Sequence, residues 1–145
     1  MAEPENIQTT RQAIALLNAR ELDRYLQHLD ETYVGESELA AGPVRGPEGV
    51  RQQVNRLLDA FPDLRIEIDQ IFASGDNVVT RVRITGTHKG DFAGIAPTGK
   101  TVSWGGCNVS EFRNGRVIQS RIYADNASVF RQLGALSIPR TAAAG

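Results

Sequence analysis

The chain has 145 residues, of which 41% are hydrophobic and 23% charged, a composition that is ordinary for one globular domain. Its 16 basic and 17 acidic residues leave a net charge of −1. No long run of one sign is present, which argues against a nucleic-acid groove or an anionic membrane surface as partner.

A single cysteine, Cys107, excludes an internal disulfide, and no cysteine or histidine cluster has the spacing of a metal site. The N-terminal residues are acidic and lead into no apolar stretch, and no run approaches the ~18 apolar residues of a membrane span. We therefore expect a cytoplasmic protein with one domain, residues 1–145, that is poor in cofactors.

The first third of the chain predicts helices. Apolar residues recur at helical spacing over residues 5–18 and again over residues 21–30. Residues 33–47 are predicted to be loop, with a short edge strand at most. Pro47 suits the first turn of a third helix that extends to Phe61.

From residue 64 the apolar pattern changes to a period of two, which predicts strands. Four strands are expected, connected by hairpin turns that include Asn114-Gly115, over residues 64–69, 78–88, 101–112 and 116–123. A last helix over residues 126–133 and a loose tail over residues 138–145 follow. Three helices and then four strands predict an α+β domain, with a curved antiparallel sheet around the N-terminal helices and a cavity between them.

Two side chains are candidate proton carriers. His88 ends the long second strand, and an imidazole titrates near neutral pH. A buried structural histidine is an equally good interpretation. Asp125 is the carboxylate of the closing segment nearest the sheet, and in an apolar cavity it could serve as general acid or base. The alternative is that Asp125 caps the last helix.

Trp104 and Asn108 share one face of the penultimate strand, with Gly106 between them. A glycine within a strand often marks the close approach of a ligand. The Asn108 amide could hold a carbonyl oxygen, whereas Trp104 could equally belong to the core. Tyr33 follows the second predicted helix and could reach the mouth of the cavity.

The opposite face of the sheet is too polar for a core. It is either solvated or a salt-bridged contact between two copies, and we favour a homodimer. Its charged members are Arg81, Arg83, Glu111 and Arg121.

Several segments resemble the SnoaL-like polyketide cyclase family. They are N-A-R-E-L-D-R-Y, G-P-E-G-V-R-Q, A-F-P-D-L-R, G-D-N-V-V, G-T-H-x-G, P-T-G-K and the final Q-L-G. The resemblance implies the α+β cone fold that is shared with ketosteroid isomerase and nuclear transport factor 2. It also implies a cavity, a dimer through the outer face of the sheet, and no cofactor.

In the aldol cyclases of that family, an Asp before the aromatic residue of the last strand is the acid and base, and a His on the adjacent strand faces it. The matching positions here are Ile122 and Asn108, while Asp125 matches a second Asp of the pattern. By strict alternation Tyr123 and Asp125 point away from the cavity, unless a bulge or the end of the strand turns Asp125 inward.

The expected function is a cofactor-independent cyclase or isomerase that acts on a hydrophobic polyketide-like intermediate of secondary metabolism. The alternatives are a hydroxylase or an epoxide-opening hydrolase in the same pocket, or a non-catalytic small-molecule-binding module. The catalytic candidates are His88, Asp125 and Asn108. The substrate-binding candidates are Trp104, Tyr33, Tyr123 and Ile122.

Overall fold

A computed structural model gives the fold and describes residues 2–137. Its elements in chain order are α1 (Ala2–Asn18), α2 (Leu22–Leu26), β1 (Leu29–Ser37), β2 (Val44–Arg45), α3 (Gly46–Ala60), β3 (Arg65–Ser74), β4 (Asn77–Thr87), β5 (Thr101–Arg113), β6 (Arg116–Ala124) and α4 (Asn126–Gln132). The tail expected over residues 138–145 lies outside the described residues.

All six strands form one sheet in the order β2-β1-β6-β5-β4-β3. Neighbouring strands are antiparallel except for β1 and β6, which are parallel. The pairing register shifts at Asp69 of β3 and at Ile118 of β6, each an extra residue opposite the partner strand, and such bulges bend a sheet. The α+β class and the curved sheet with N-terminal helices are therefore confirmed, whereas the expectation of a purely antiparallel sheet is wrong for one pair.

The prediction for residues 21–47 is wrong in two respects. The second helix ends at Leu26, and the segment expected to be loop contains the nine-residue strand β1, which lies between β2 and β6. The sequence did not predict this strand because it contains Gly35, and glycine is typical of turns. Gly35 is required because the Tyr33 side chain lies directly over it. A Cβ at this position would be 2.5 Å from Tyr33 Oη, so any larger residue would displace the tyrosine ring.

The inner face of the sheet is covered by helices, and two core clusters form there. The first core cluster comprises Leu17, Leu26, Leu29, Tyr33, Val50, Val54, Val78, Phe112 and Val117. The second core cluster comprises Ala60, Phe61, Leu64, Phe92, Val102, Trp104, Val129 and Leu133. The two clusters hold opposite ends of β5, since Phe112 belongs to the first and Val102 to the second.

Residues 86–90, the G-T-H-K-G segment, attach the start of the β4–β5 loop to the end of α3. The backbone N–H groups of Lys89 and Gly90 both donate to Ala60 O, at 2.9 and 3.2 Å. This satisfies a carbonyl in the last turn of the helix, where no intrahelical partner remains. A Cβ at Gly90 would lie 2.2 Å from Asp59 O, so this contact requires glycine.

Asp125 precedes α4 and caps it. Its carboxylate accepts a hydrogen bond of 3.0 Å from the backbone N–H of Ser128, and its side chain is exposed. Its own N–H donates to Gly105 O at 2.9 Å, which ties the start of α4 to β5. Asp125 is therefore the helix cap, and its carboxylate does not face the interior of the sheet.

We expect Asp125→Ala to lower the free energy of unfolding by about 1 kcal/mol, because the cap is lost. Asp125→Asn should change it by only a few tenths of a kcal/mol, since asparagine caps a helix equally well. Urea denaturation of both variants measures the difference. Equal destabilisation by the two substitutions would contradict the cap.

Candidate functional site

The middle of the inner face belongs to neither core cluster, and we call it the inner gap. Its apolar side chains are half-buried and contributed by three strands: Ile68 from β3, Val82 from β4 and Ile122 from β6. Helix α1 lies against β3 and β4, and α3 lies against β1. A half-buried apolar region between two closed clusters is the kind of wall that a hydrophobic ligand covers.

Asn108 is the polar residue in the middle of the inner gap. It pairs with Thr80 on β4 and with Ile122 on β6, so the three side chains lie in one row across the sheet. Asn108 Oδ1 is buried and has no hydrogen-bond partner among residues 2–137. A buried acceptor without a partner costs about 1–3 kcal/mol, so a bound donor at this point would recover that energy.

A row of hydroxyl groups borders Asn108 on the side of the first core cluster. Ser110 and Ser120 are directly paired on β5 and β6, both are buried, and their Oγ atoms lie 3.1 Å apart. Tyr33 lies over Gly35, which pairs with Ser120, and hydrogen bonding connects the tyrosine with the Ser120 side chain. Burial raises the pKa of Tyr33, and hydrogen bonding with the Ser120 side chain offsets only part of that effect, so the phenol keeps its proton at neutral pH.

His88 does not lie in the inner gap. It follows Thr80 by eight positions on one extended segment, which separates it from the Asn108 row by roughly 25 Å along the strand. Its ring is fully buried beside Phe61, with 5.6 Å between ring centroids. Asn108 and His88, both expected in one pocket, are therefore not brought together.

A hydrogen bond to the His88 ring indicates its tautomer. The backbone N–H of Thr98 donates to His88 Nδ1 at 3.1 Å, so Nδ1 carries no hydrogen and the ring proton is on Nε2. The backbone of His88 also bonds to Lys100 O and accepts from Gly99 N, both at 2.8 Å. His88 thus holds the loop before β5, and its buried Nε2 has no partner.

The remaining predicted residues divide into two groups. Ile122 lies in the inner gap, and Tyr33 lies beside it. Trp104, four positions before Asn108 on β5, belongs instead to the second core cluster. Tyr123 is on the outer face and is 56% exposed, and Asp125 is an exposed cap.

The sequence analysis did not select Thr80, Ser110 and Ser120. All three occupy inward positions of strands that were predicted, so the alternation alone could have placed them. Serine and threonine are mostly exposed residues, and a single one on a strand gives no functional signal.

Two surface clefts lie apart from the inner gap. One, of about 230 Å³, is lined by Glu36, Ser37, Ala40, Gly42 and Pro43. The other, of about 310 Å³, is lined by Asp23, Leu26, Gln27, Leu29, Glu31, Pro47 and Arg116. Within residues 2–137, no three histidine, cysteine, aspartate or glutamate side chains are grouped to hold a metal ion, and no helix is long and apolar enough to cross a membrane.

Known proteins resemble this chain in sequence and in structure. Aklanonic acid methyl ester cyclase AcmA from Streptomyces galilaeus is 28% identical over 131 residues, which are 90% of this chain and 91% of AcmA. AclR from the same organism, a proposed hydroxylase, is 29% identical with a TM-score of 0.83, over 93% of this chain and 99% of AclR. IdmH from Streptomyces antibioticus, a proposed polyketide cyclase, is 26% identical with a TM-score of 0.77, over 89% of this chain and 98% of IdmH.

The family model of the SnoaL-like polyketide cyclases matches residues 7–133, from within the first helix to the end of the last. The match includes the inner gap and the hydroxyl row beside it. The chain therefore belongs to the SnoaL-like polyketide cyclase family.

Proposed function

We propose that this protein is an enzyme of secondary metabolism that closes a ring in a hydrophobic, polyketide-type substrate bound in the inner gap. The observation that carries the proposal is Asn108 Oδ1, which is buried and unpartnered in the middle of an apolar face. Membership of a polyketide cyclase family and the name of the relative AcmA support the choice of reaction.

The inner gap suits a substrate that is apolar over most of its surface and oxygenated on one edge. Ile68, Val82 and Ile122 contribute the apolar wall. Asn108 presents an oxygen that accepts from a substrate hydroxyl and an amide nitrogen that donates to a substrate carbonyl. Holding a flexible chain so that its reacting carbons are adjacent contributes much of the rate of a ring closure.

The chain differs from the aldol cyclases of the family at the two positions that carry their proton chemistry. Ile122 stands where the resemblance implies an Asp, and Asn108 stands where it implies a His. Orientation and hydrogen bonding therefore replace a charged acid and base in this proposal. We expect the reaction to proceed without a metal or nucleotide, and dialysis against EDTA before the assay tests that expectation.

Hydroxylation is the second candidate, because AclR, a proposed hydroxylase, matches nearly the whole chain at 29% identity. The assay for ring closure distinguishes the two reactions: a ring closure leaves the mass of the product unchanged, whereas a hydroxylation adds one oxygen. A non-catalytic binding module would bind the probe and return it unchanged.

We expect Asn108→Leu to lower kcat for aklanonic acid methyl ester on the order of 10²-fold, because one preorganised hydrogen-bonding group is removed. Steady-state kinetics measure the effect, and the melting temperature should not fall, since a buried unpartnered oxygen is removed as well. Cys107→Ala is the matched control on the outer face of the same strand. Full turnover by Asn108→Leu would contradict the proposal.

The structure separates His88 from the inner gap, so we expect His88→Leu to act on stability. Thr98 N–H would lose its acceptor, at a cost of about 1–3 kcal/mol in the free energy of unfolding. Turnover at a temperature where the variant is folded should change by less than about threefold. A His88→Leu variant with normal stability and a large loss of kcat would show instead that His88 takes part in catalysis.

The acid–base role of Asp125 is tested by Asp125→Asn, which keeps the cap. Under the present proposal this variant turns over the substrate at the rate of the unsubstituted protein. A loss on the order of 10²-fold at unchanged stability would instead assign proton transfer to Asp125.

We also propose that the outer face forms a homodimer. Phe72 and Tyr123 are about half exposed there, at 49% and 56%, among the charged side chains of Arg81, Arg83 and Arg121. Exposed large apolar groups on a flat sheet face favour association with a second copy.

Light scattering should give twice the chain mass of 15.8 kDa, and Tyr123→Glu should shift the protein towards the monomer. The control is Leu39→Glu, which alters an equally exposed apolar residue outside the strands. A monomer at moderate concentration for the unsubstituted protein would exclude the dimer.

A further inference from the structure

A ring closure of the aldol type must move a proton, and the inner face offers no charged group for that task. The buried polar side chains within residues 2–137 are Asn6, Thr80, His88, Ser110 and Ser120. None of them is a carboxylate, and the single imidazole among them lies at the far end of the sheet, roughly 25 Å from the Asn108 row.

The hydroxyl pair of Ser110 and Ser120, in the row next to Asn108, is a hydrogen-bonded arrangement that can pass a proton from one oxygen to another. Ser110 is two positions beyond Asn108 on β5, about 7 Å along the strand, and both side chains face inward. A serine hydroxyl donates one hydrogen and accepts two. The bond of 3.1 Å between the two Oγ atoms uses one donor and one acceptor, so the pair retains both functions for a ligand.

We propose that Ser110 and Ser120, supported by the phenol of Tyr33, form a neutral relay that carries a proton between two oxygens of an enolised β-dicarbonyl substrate. This inference rests on the proposed function and identifies the groups that move the proton at the same site.

The step balances without an added acid, base or cofactor. The enol carbon attacks the carbonyl carbon, a carbon–carbon bond forms, and the enol C–O bond becomes a carbonyl. The enol hydrogen passes to one serine oxygen, the hydrogen of that serine passes along the Oγ–Oγ hydrogen bond to the other serine, and the hydrogen of the second serine passes to the former carbonyl oxygen, which becomes a hydroxyl. Both serines are hydroxyls before and after, and the product is an isomer of the substrate.

A neutral relay suits this position because the hydroxyl pair is buried. Forming an isolated charge among apolar side chains is costly. A relay that accepts one hydrogen while it donates another forms no charged intermediate. Tyr33 remains a phenol at neutral pH, so it can donate a hydrogen bond to the row but does not act as a base. Asn108, one row away, holds the substrate at the edge of the hydroxyl pair.

The first test is selective binding, measured by the fluorescence of Trp104, the single tryptophan. The probes are dibenzoylmethane, an enolised β-diketone, and 1,3-diphenylpropan-1-one, which lacks the second oxygen. We expect the unsubstituted protein to bind dibenzoylmethane on the order of 10-fold more tightly, and the Ser110→Ala, Ser120→Ala double variant to lose that preference. Ser103→Ala, on the outer face of β5, is the matched control.

The second test is turnover of aklanonic acid methyl ester. Each single alanine variant should lower kcat on the order of 10²-fold with little change in KM. For the unsubstituted protein, kcat should be flat between about pH 5.5 and 8.5, because no carboxylate or imidazole titrates in the relay. A plot of kcat against the deuterium fraction of the solvent should be curved, because more than one hydrogen is transferred in the rate-limiting step. The same plot for the alanine variants should be linear.

The outcomes separate the two proposals. A protein that binds neither probe and converts no substrate overturns the proposed function. Normal binding and turnover with both properties unchanged in the double serine variant overturn the relay alone, as does a pH profile that follows a single titrating group. If the probes bind but the ester is not converted, the binding preference and its loss in the double variant decide whether the serines contact the ligand.

Discussion

The length of β5 sets the constraint on which the interior depends. The strand has thirteen residues and spans roughly 40 Å, and each core cluster is anchored to one of its ends. Neither cluster includes the middle of the strand, where Asn108, Val82 and Ile122 are half-buried. Closely packed interiors leave few such regions, and in the proposed function a ligand completes the packing of this one. The site is thus the part of the sheet that the two cores do not cover.

The inner gap has apolar and polar side chains in neighbouring rows across the sheet. Ile68, Val82 and Gly106 form one row, Asn108 lies between Thr80 and Ile122 in the next, and the serine pair lies in the row after it. Apolar contact supplies most of the affinity for a hydrophobic molecule, and the few polar groups fix its orientation. Ile122 and Asn108 stand where the family resemblance implies an Asp and a His, so in the proposed function no ion at these two positions loses its water when the substrate binds.

The sequence predicted the strands well where alternation was regular, as in β4 and β5, and it placed Asn108 and Ile122 on the correct face. It missed β1, because a glycine such as Gly35 usually indicates a turn. The contact with Tyr33 that explains a glycine in this strand is visible only in the structure. It grouped His88 with Asn108 because periodicity gives the face of a side chain but not its distance along the strand. For Asp125 the sequence already favoured the helix cap over the catalytic interpretation, and the hydrogen bond that its carboxylate accepts from Ser128 N–H shows the cap in the structure.

The parallel pairing of β1 and β6 has a consequence for how the chain reaches this fold. Val34 pairs with Gln119, so a segment of roughly 85 residues must close before the central sheet exists. Without β6 the sheet is two separate pieces, β2-β1 and β5-β4-β3, each with an open edge. Such non-local pairing slows folding to the range of milliseconds to seconds. During synthesis the last strand to leave the ribosome is therefore the one that joins the two halves, and until then β1 and β5 expose edges that can pair with other chains.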